Sequence, residues 1–175
     1  MFYPILKNEN EIISLLRKKL PPTSKDLLCF FSSHLQAFIT DPLFMNIALE
    51  DKIIHRGYAV FETAKIFGNK IYQLDQHISR FLKSINYIDL KSALSEQEIK
   101  DILLKTAKLG REIEPNNDLE LRFFYTAGLG NFSVGVDERY PSFYAFALRV
   151  YHSVRPVDGT SEALINIKEI HDNVV

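Results

Sequence analysis

The chain holds one cysteine, so no disulfide can form within it. Cys29 stands in the apolar run LLCFF, which predicts a buried thiol in a reducing compartment rather than a nucleophile. An excess of charge of one sign is also missing. Lys and Arg total 21 against 22 Asp and Glu, a net charge of -1. That balance argues against the basic surface that nucleic-acid binding normally demands. No apolar run approaches the roughly 20 residues of a membrane span. The opening MFYPILKNENEIISLLRKKL lacks the charged start, apolar block and cleavage site of a secretory signal. Glu9 speaks against a transit peptide, which leaves the cytoplasm as the expected setting. Five histidines are scattered without metal-ligand spacing, so no metal site is expected. No nucleophile-plus-base constellation, internal repeat or low-complexity segment is present.

What is there fits about one domain: 175 residues, 46% hydrophobic and 25% charged. Asn10 is placed to cap a helix EIISLLRKKL with a broad apolar face, ended by Pro21 and Pro22. Leu27 to Ile39 turns to β-branched and aromatic residues until Asp41-Pro42, and a short strand is expected over Asn46 to Leu49. From Tyr58 to Phe67, alternation puts Val60, Glu62, Ala64 and Ile66 on one face and Phe61, Thr63, Lys65 and Phe67 on the other. Gly68-Asn69 supplies the positive-φ positions of a two-residue hairpin. Ile78, Phe81, Leu82 and Ile85 then mark an amphipathic helix capped near Asp75. Ser95 with Glu98 is a capping-box pattern, opening a helix that Gly110 is expected to stop. Strands follow at Leu119 to Ala127, Ser142 to Tyr151 and Ala163 to Lys168. Without a regular βαβ rhythm, these elements predict an α+β fold with a mainly antiparallel sheet and flanking helices.

Several side chains are candidates for chemistry. His77, Arg80 and Ser84 share one helical stripe, and a guanidinium there offers a planar fork for phosphate oxygens. A solvated polar edge is the competing reading. Arg56 pairs with Asp51 or Glu62, or faces a ligand. Lys65 is an amine beside Phe61 on the strand, although surface lysine is far commoner. Arg122, inside the apolar strand LELRFFYTAG, needs either an ion-pair partner or a ligand carboxylate. The turn Gly128-Leu129-Gly130-Asn131 is read first as a turn and second as an anion-binding nest.

The ordered set HRGYAVFETAKI, YQLDQHISRFLKSI and LRFFYTAGLGNF resembles the class IV aminotransferases, the fold-type IV pyridoxal-phosphate enzymes. The likeness is strongest to the plant-type D-amino-acid aminotransferases that also carry aminodeoxychorismate lyase activity, and it spans roughly Phe30 to Leu148. The resemblance implies pyridoxal 5'-phosphate as cofactor, Arg80 as its phosphate ligand and His77 beside it. It implies a substrate pocket that includes Phe61, Lys65 and Arg122. Phe61 replaces a tyrosine of many D-amino-acid members, and the Arg-x-His carboxylate trap of the bacterial ones is absent after Gly128. The implied partners are a small-molecule amino acid or aminodeoxychorismate and a second copy of the chain, in a homodimer.

The same resemblance predicts residues 1–155 as the small N-terminal domain and residues 156–175 as the start of an interdomain segment, with the C-terminal domain absent. The cofactor-binding lysine of the family has no counterpart, because Lys168 lies in the wrong context, so the chain is expected to be inactive alone. Two reactions are implied: amino-acid transamination, or lysis of 4-amino-4-deoxychorismate to pyruvate and 4-aminobenzoate. The alternatives are a non-catalytic relative kept as a binding or interaction module, and a stand-alone α+β binding domain.

Overall fold

A computed structural model describes residues 3–130, 132 and 140–150. The element order is α1 (Glu9–Lys19), β1 (Leu27–Ser32), β2 (Ala37–Ile39), α2 (Lys52–Arg56), β3 (Ala59–Phe67), β4 (Lys70–Ile71), α3 (Leu74–Tyr87), α4 (Glu96–Ile113), β5 (Leu119–Thr126) and β6 (Ser142–Arg149). The strands form an antiparallel sheet in the order β2-β1-β6-β5-β3-β4. The fold is α+β with helices flanking a mainly antiparallel sheet, as the sequence pattern predicts. The expected strand at Ala163 to Lys168 and the expected interdomain segment 156–175 lie outside the described residues.

Alternation along the strands sorts the sheet into two faces. On one face Ala64, Ile66, Leu119, Leu121, Phe123, Phe143 and Ala145 are buried beneath α3 and α4. The helices supply Ile78, Phe81 and Ile85, and Ile99, Leu103 and Ala107. Phe81 meets Phe123 edge-on with ring centroids 4.8 Å apart, a favoured aromatic geometry at the centre of the core. The other face carries Phe61, Thr63, Lys65, Glu120, Arg122, Phe124 and Phe146. Its ring stacks Phe61–Phe124 and Phe124–Phe146 span 5.8 and 5.9 Å, and Phe61 is 68% exposed.

Several local expectations are corrected. Asn8, not Asn10, caps α1, accepting from the Asn10 and Glu11 N–H groups. No residue of α1 is buried, so its apolar stripe is not a core face. Asn46 to Leu49 is irregular rather than a strand, following a short 3-10 turn at Pro42–Phe44. Only Gly68 of the hairpin pair has positive φ. Asp75 lies inside α3, which starts from Gln73 without a side-chain cap. Ser95 and Glu98 form the full capping box on α4. Gly110 does not stop that helix, which runs on to Ile113. A Cβ on Gly110 would stand 2.7 Å from the Ala147 Cβ, so glycine lets α4 press onto β6.

Candidate functional site

The segment leading into β3 is pinned by one buried carboxylate. Asp51 caps α2 by accepting from the Ile53 N–H at 3.0 Å. Its other oxygen accepts from the Thr126 hydroxyl at 3.0 Å and the Tyr144 hydroxyl at 2.7 Å. Burial, followed by the Asp51 interaction, pushes the Tyr144 phenol well above its ordinary value. The knot ties α2 to β5 and β6, and Gly57 in the left-handed region then turns the chain into β3. Nothing in the sequence marked Asp51 as a buried hub, because its three partners come from distant strands and from its own helix. Asp51 and Glu62 are both committed elsewhere, so the expected Arg56 pairing does not form. Arg56 instead donates to the Phe132 carbonyl at 3.5 Å.

The next cluster sits where α3 crosses β3. Glu62, buried on the helix-facing side of β3, accepts from Arg80 Nε at 2.5 Å and Nη2 at 2.8 Å, a bidentate pair. Arg80 Nη2 also donates to His77 Nδ1 at 3.2 Å, which places the neutral ring's proton on Nε2. Burial opposes ionisation of Glu62, but Arg80, the Thr63 N–H and His77 together hold its carboxyl below the usual value. The Arg80 side chain is 65% exposed, so its inner edge is tethered to the sheet while its outer edge faces solvent. Two shallow hollows flank it, one of about 480 Å³ touching Ser79 and Lys83 and one of about 390 Å³ touching Val60 and Tyr87. Sequence periodicity put His77 and Arg80 on one stripe, and the structure joins them. It did not identify Glu62 as the clamp between them.

On the opposite face, Glu120 bridges two cations. Its oxygens accept from Lys65 Nζ at 2.7 Å and from Arg122 Nε at 2.5 Å. Burial again opposes ionisation of Glu120, and the two cations outweigh it to hold the carboxyl low. The pair reading for Arg122 is therefore met, by Glu120 itself, while nearly half of each cationic side chain stays exposed. Phe61 stands two residues from Thr63 on the same face, next to the Phe124 ring. Because Phe61 and Glu62 are adjacent on β3, the Arg80 cluster and the aromatic face meet along that strand. β4 pairs only with Ile66 and Phe67, so among the described residues no strand pairs with the edge of β3 around Phe61 and Glu62.

Elsewhere, Cys29 is fully buried and burial pushes its thiol up to about 11, as the sequence led one to expect of a structural thiol. Gly128 has φ of +80°, and a Cβ there would overlap the Tyr140 carbonyl, so close packing requires glycine at the start of the turn after β5. Among the described residues no cluster of His, Cys, Asp and Glu is placed to hold a metal, and no helix is long and apolar enough to cross a membrane.

The family described as Amino-transferase class IV matches residues 59–171. The chloroplastic D-amino-acid transaminase of Arabidopsis thaliana is 31% identical over 142 residues, covering 81% of this chain. The chain spans only 37% of that relative's length. Among solved structures, the fold resembles a branched-chain aminotransferase from Thermoproteus uzoniensis with norvaline, at TM-score 0.59 and 16% identity, over 70% of this chain and 41% of that one. It also resembles a hypothetical aminotransferase from Mycobacterium tuberculosis in its PLP-bound form, at TM-score 0.56 and 18% identity, over 70% and 40%.

Proposed function

Since the chain belongs to the class IV aminotransferase family, we propose that it forms the phosphate-holding side and one wall of a pyridoxal-phosphate site. The observation that carries this reading is the Arg80 guanidinium, fixed to β3 by Glu62 with its outer edge free beside a hollow. That arrangement fits a phosphate group: the cation is pre-oriented and loses little freedom on binding. When bound, the cofactor supplies an electron sink for bond cleavage at the substrate α-carbon.

Arg80 binds the phosphate as a fixed cation, and His77 adds the Nε2 proton as a second donor. Glu62 positions Arg80 and keeps its plane from rotating. Across β3, Phe61 and Phe124 give an apolar wall that excludes water. Lys65 and Arg122, each bonded to Glu120 through one N–H, offer remaining N–H groups to a substrate carboxylate. Phe61 contributes no hydroxyl, so it cannot donate a hydrogen bond to the substrate. The reaction proposed for the whole protein is amino-group transfer from a small amino acid, working as a homodimer. The 31% identity to the plant D-amino-acid transaminase favours a D-amino acid as donor.

Calorimetric titration of the chain with pyridoxal 5'-phosphate, and with pyridoxal as the phosphate-free control, tests the site. The phosphate ester should bind at least tenfold tighter, and R80A should erase that difference. Equal binding of the two, or an unchanged R80A, overturns the assignment. In the whole protein, pyruvate formed from D-alanine only when an oxo acid is supplied reports transamination. Pyruvate and 4-aminobenzoate formed from aminodeoxychorismate without an acceptor would report the lyase instead.

A further inference from the structure

A second guanidinium contrasts with Arg80. Arg111, in the last turn of α4, donates through Nη1 to the carbonyls of Glu114, Pro115 and Asn117 at 3.2, 3.2 and 2.7 Å. These bonds cap the helix, but all three acceptors are neutral. Its Nε and Nη2 are buried and have no hydrogen-bond partner among the described residues. They form the same edge of the fork with which Arg80 grips Glu62. Buried donors of a charged group left unpaired are costly, and native structures seldom keep them without a reason.

Arg111 lines a cavity of about 460 Å³ between α4 and the β3–β4 hairpin. The size falls in the range of small-molecule sites, and the walls are chiefly apolar, from Ile66, Ile71, Leu104 and Ala107. Lys108 adds a second cation to the lining, against the one carboxylate of Glu112. Ile66 lies four residues beyond Glu62 on β3, roughly 13 Å along the strand, so this cavity is distinct from the Arg80 cluster.

We infer that the cavity binds an aliphatic monocarboxylate, whose tail packs on the apolar walls and whose carboxylate pairs with the vacant Nε/Nη2 edge of Arg111. A carboxylate matches that edge with two parallel charge-assisted hydrogen bonds, whereas an alcohol or an amide oxygen neutralises nothing. An inorganic anion satisfies the cation but leaves the walls empty. The assignment does not depend on the cofactor reading.

The test is a titration of the chain with hexanoate, followed through the methyl resonances of Ile66, Ile71 and Leu104 and the Arg111 Nε–H signal. Hexan-1-ol and acetate supply tail and headgroup separately. Hexanoate should shift all four signals saturably, with each control at least tenfold weaker. R111M should lose at least tenfold in hexanoate affinity. Because Arg111 also caps α4, L104W provides a second variant that fills the cavity and leaves the guanidinium in place, and it should lose as much. Hexanoate binding no tighter than hexan-1-ol, wild-type affinity in L104W, or no methyl shift at all would overturn the assignment.

Discussion

The two faces of one sheet solve opposite problems. Beneath α3 and α4, Phe123, Phe143 and Phe81 are sealed from water and meet edge to face, so every ring contributes to stability. On the far side, Phe61, Phe124 and Phe146 form a comparable row but keep part of their surface in solvent. Charges follow the same division. Glu62, on the helix-facing side, is committed to a single arginine, whereas Glu120 on the open side divides itself between Lys65 and Arg122 and leaves both cations partly unused. Similar residues placed on one pleated surface are thus largely sealed on one side and left partly open to solvent on the other.

The sharpest way to break this contrast is Phe123→Ala, which opens a cavity in the covered face and should cost about 3–5 kcal/mol in urea unfolding. Gly110→Ala comes next. Overpacking against Ala147 costs ~1–3 kcal/mol and outweighs the ~1 kcal/mol that alanine gains in helix propensity. The double variant Gly110→Ala/Ala147→Gly should recover most of that loss. A smaller effect is expected from pH. Glu62 and Glu120 both ionise more readily in the folded chain than usual, so their contribution is present above the ordinary carboxylate value of 4.5. It is lost as pH falls below that value and through the lowered ones. Urea midpoints across that range should therefore fall with acid, and E62Q and E120Q should each flatten the decline. Phe61→Ala on the open face should change stability least, by about 0.5 kcal/mol or less. A loss as large as that of Phe123→Ala would mean that the two faces are not different in kind.

The parts of this fold legible in the sequence were those governed by local periodicity. The alternation in β3 correctly divided Glu62, Ala64 and Ile66 from Phe61 and Lys65, and the three- and four-residue spacing in α3 correctly buried Ile78, Phe81 and Ile85, with Leu82 partly buried beside them. Errors arose where a residue's role is set by something distant. Gly110 has the look of a helix stop and is instead the contact point with Ala147. The α1 stripe has the spacing of a core face but no layer to pack on among the described residues. At the site, the stripe joining His77 and Arg80 was readable, while Glu62 as their clamp, Glu120 as a two-cation bridge and Asp51 as a hub required knowledge of strand register. The vacant edge of Arg111 had no sequence signal, because a guanidinium four residues before Pro115 resembles an ordinary exposed side chain.

The position of β6 has a consequence for how the molecule is made. It lies between β1 and β5 and, among the described strands, is the one that joins the β1–β2 hairpin to the rest of the sheet. During synthesis that hairpin must wait for more than a hundred later residues before its docking strand leaves the ribosome, so long-range closure sets the pace of folding. A nascent chain arrested just before Ser142 would lack the Tyr144 ring that stacks on Phe30 and the Phe143 ring that meets Phe31, and it is at that length that chaperone dependence should peak.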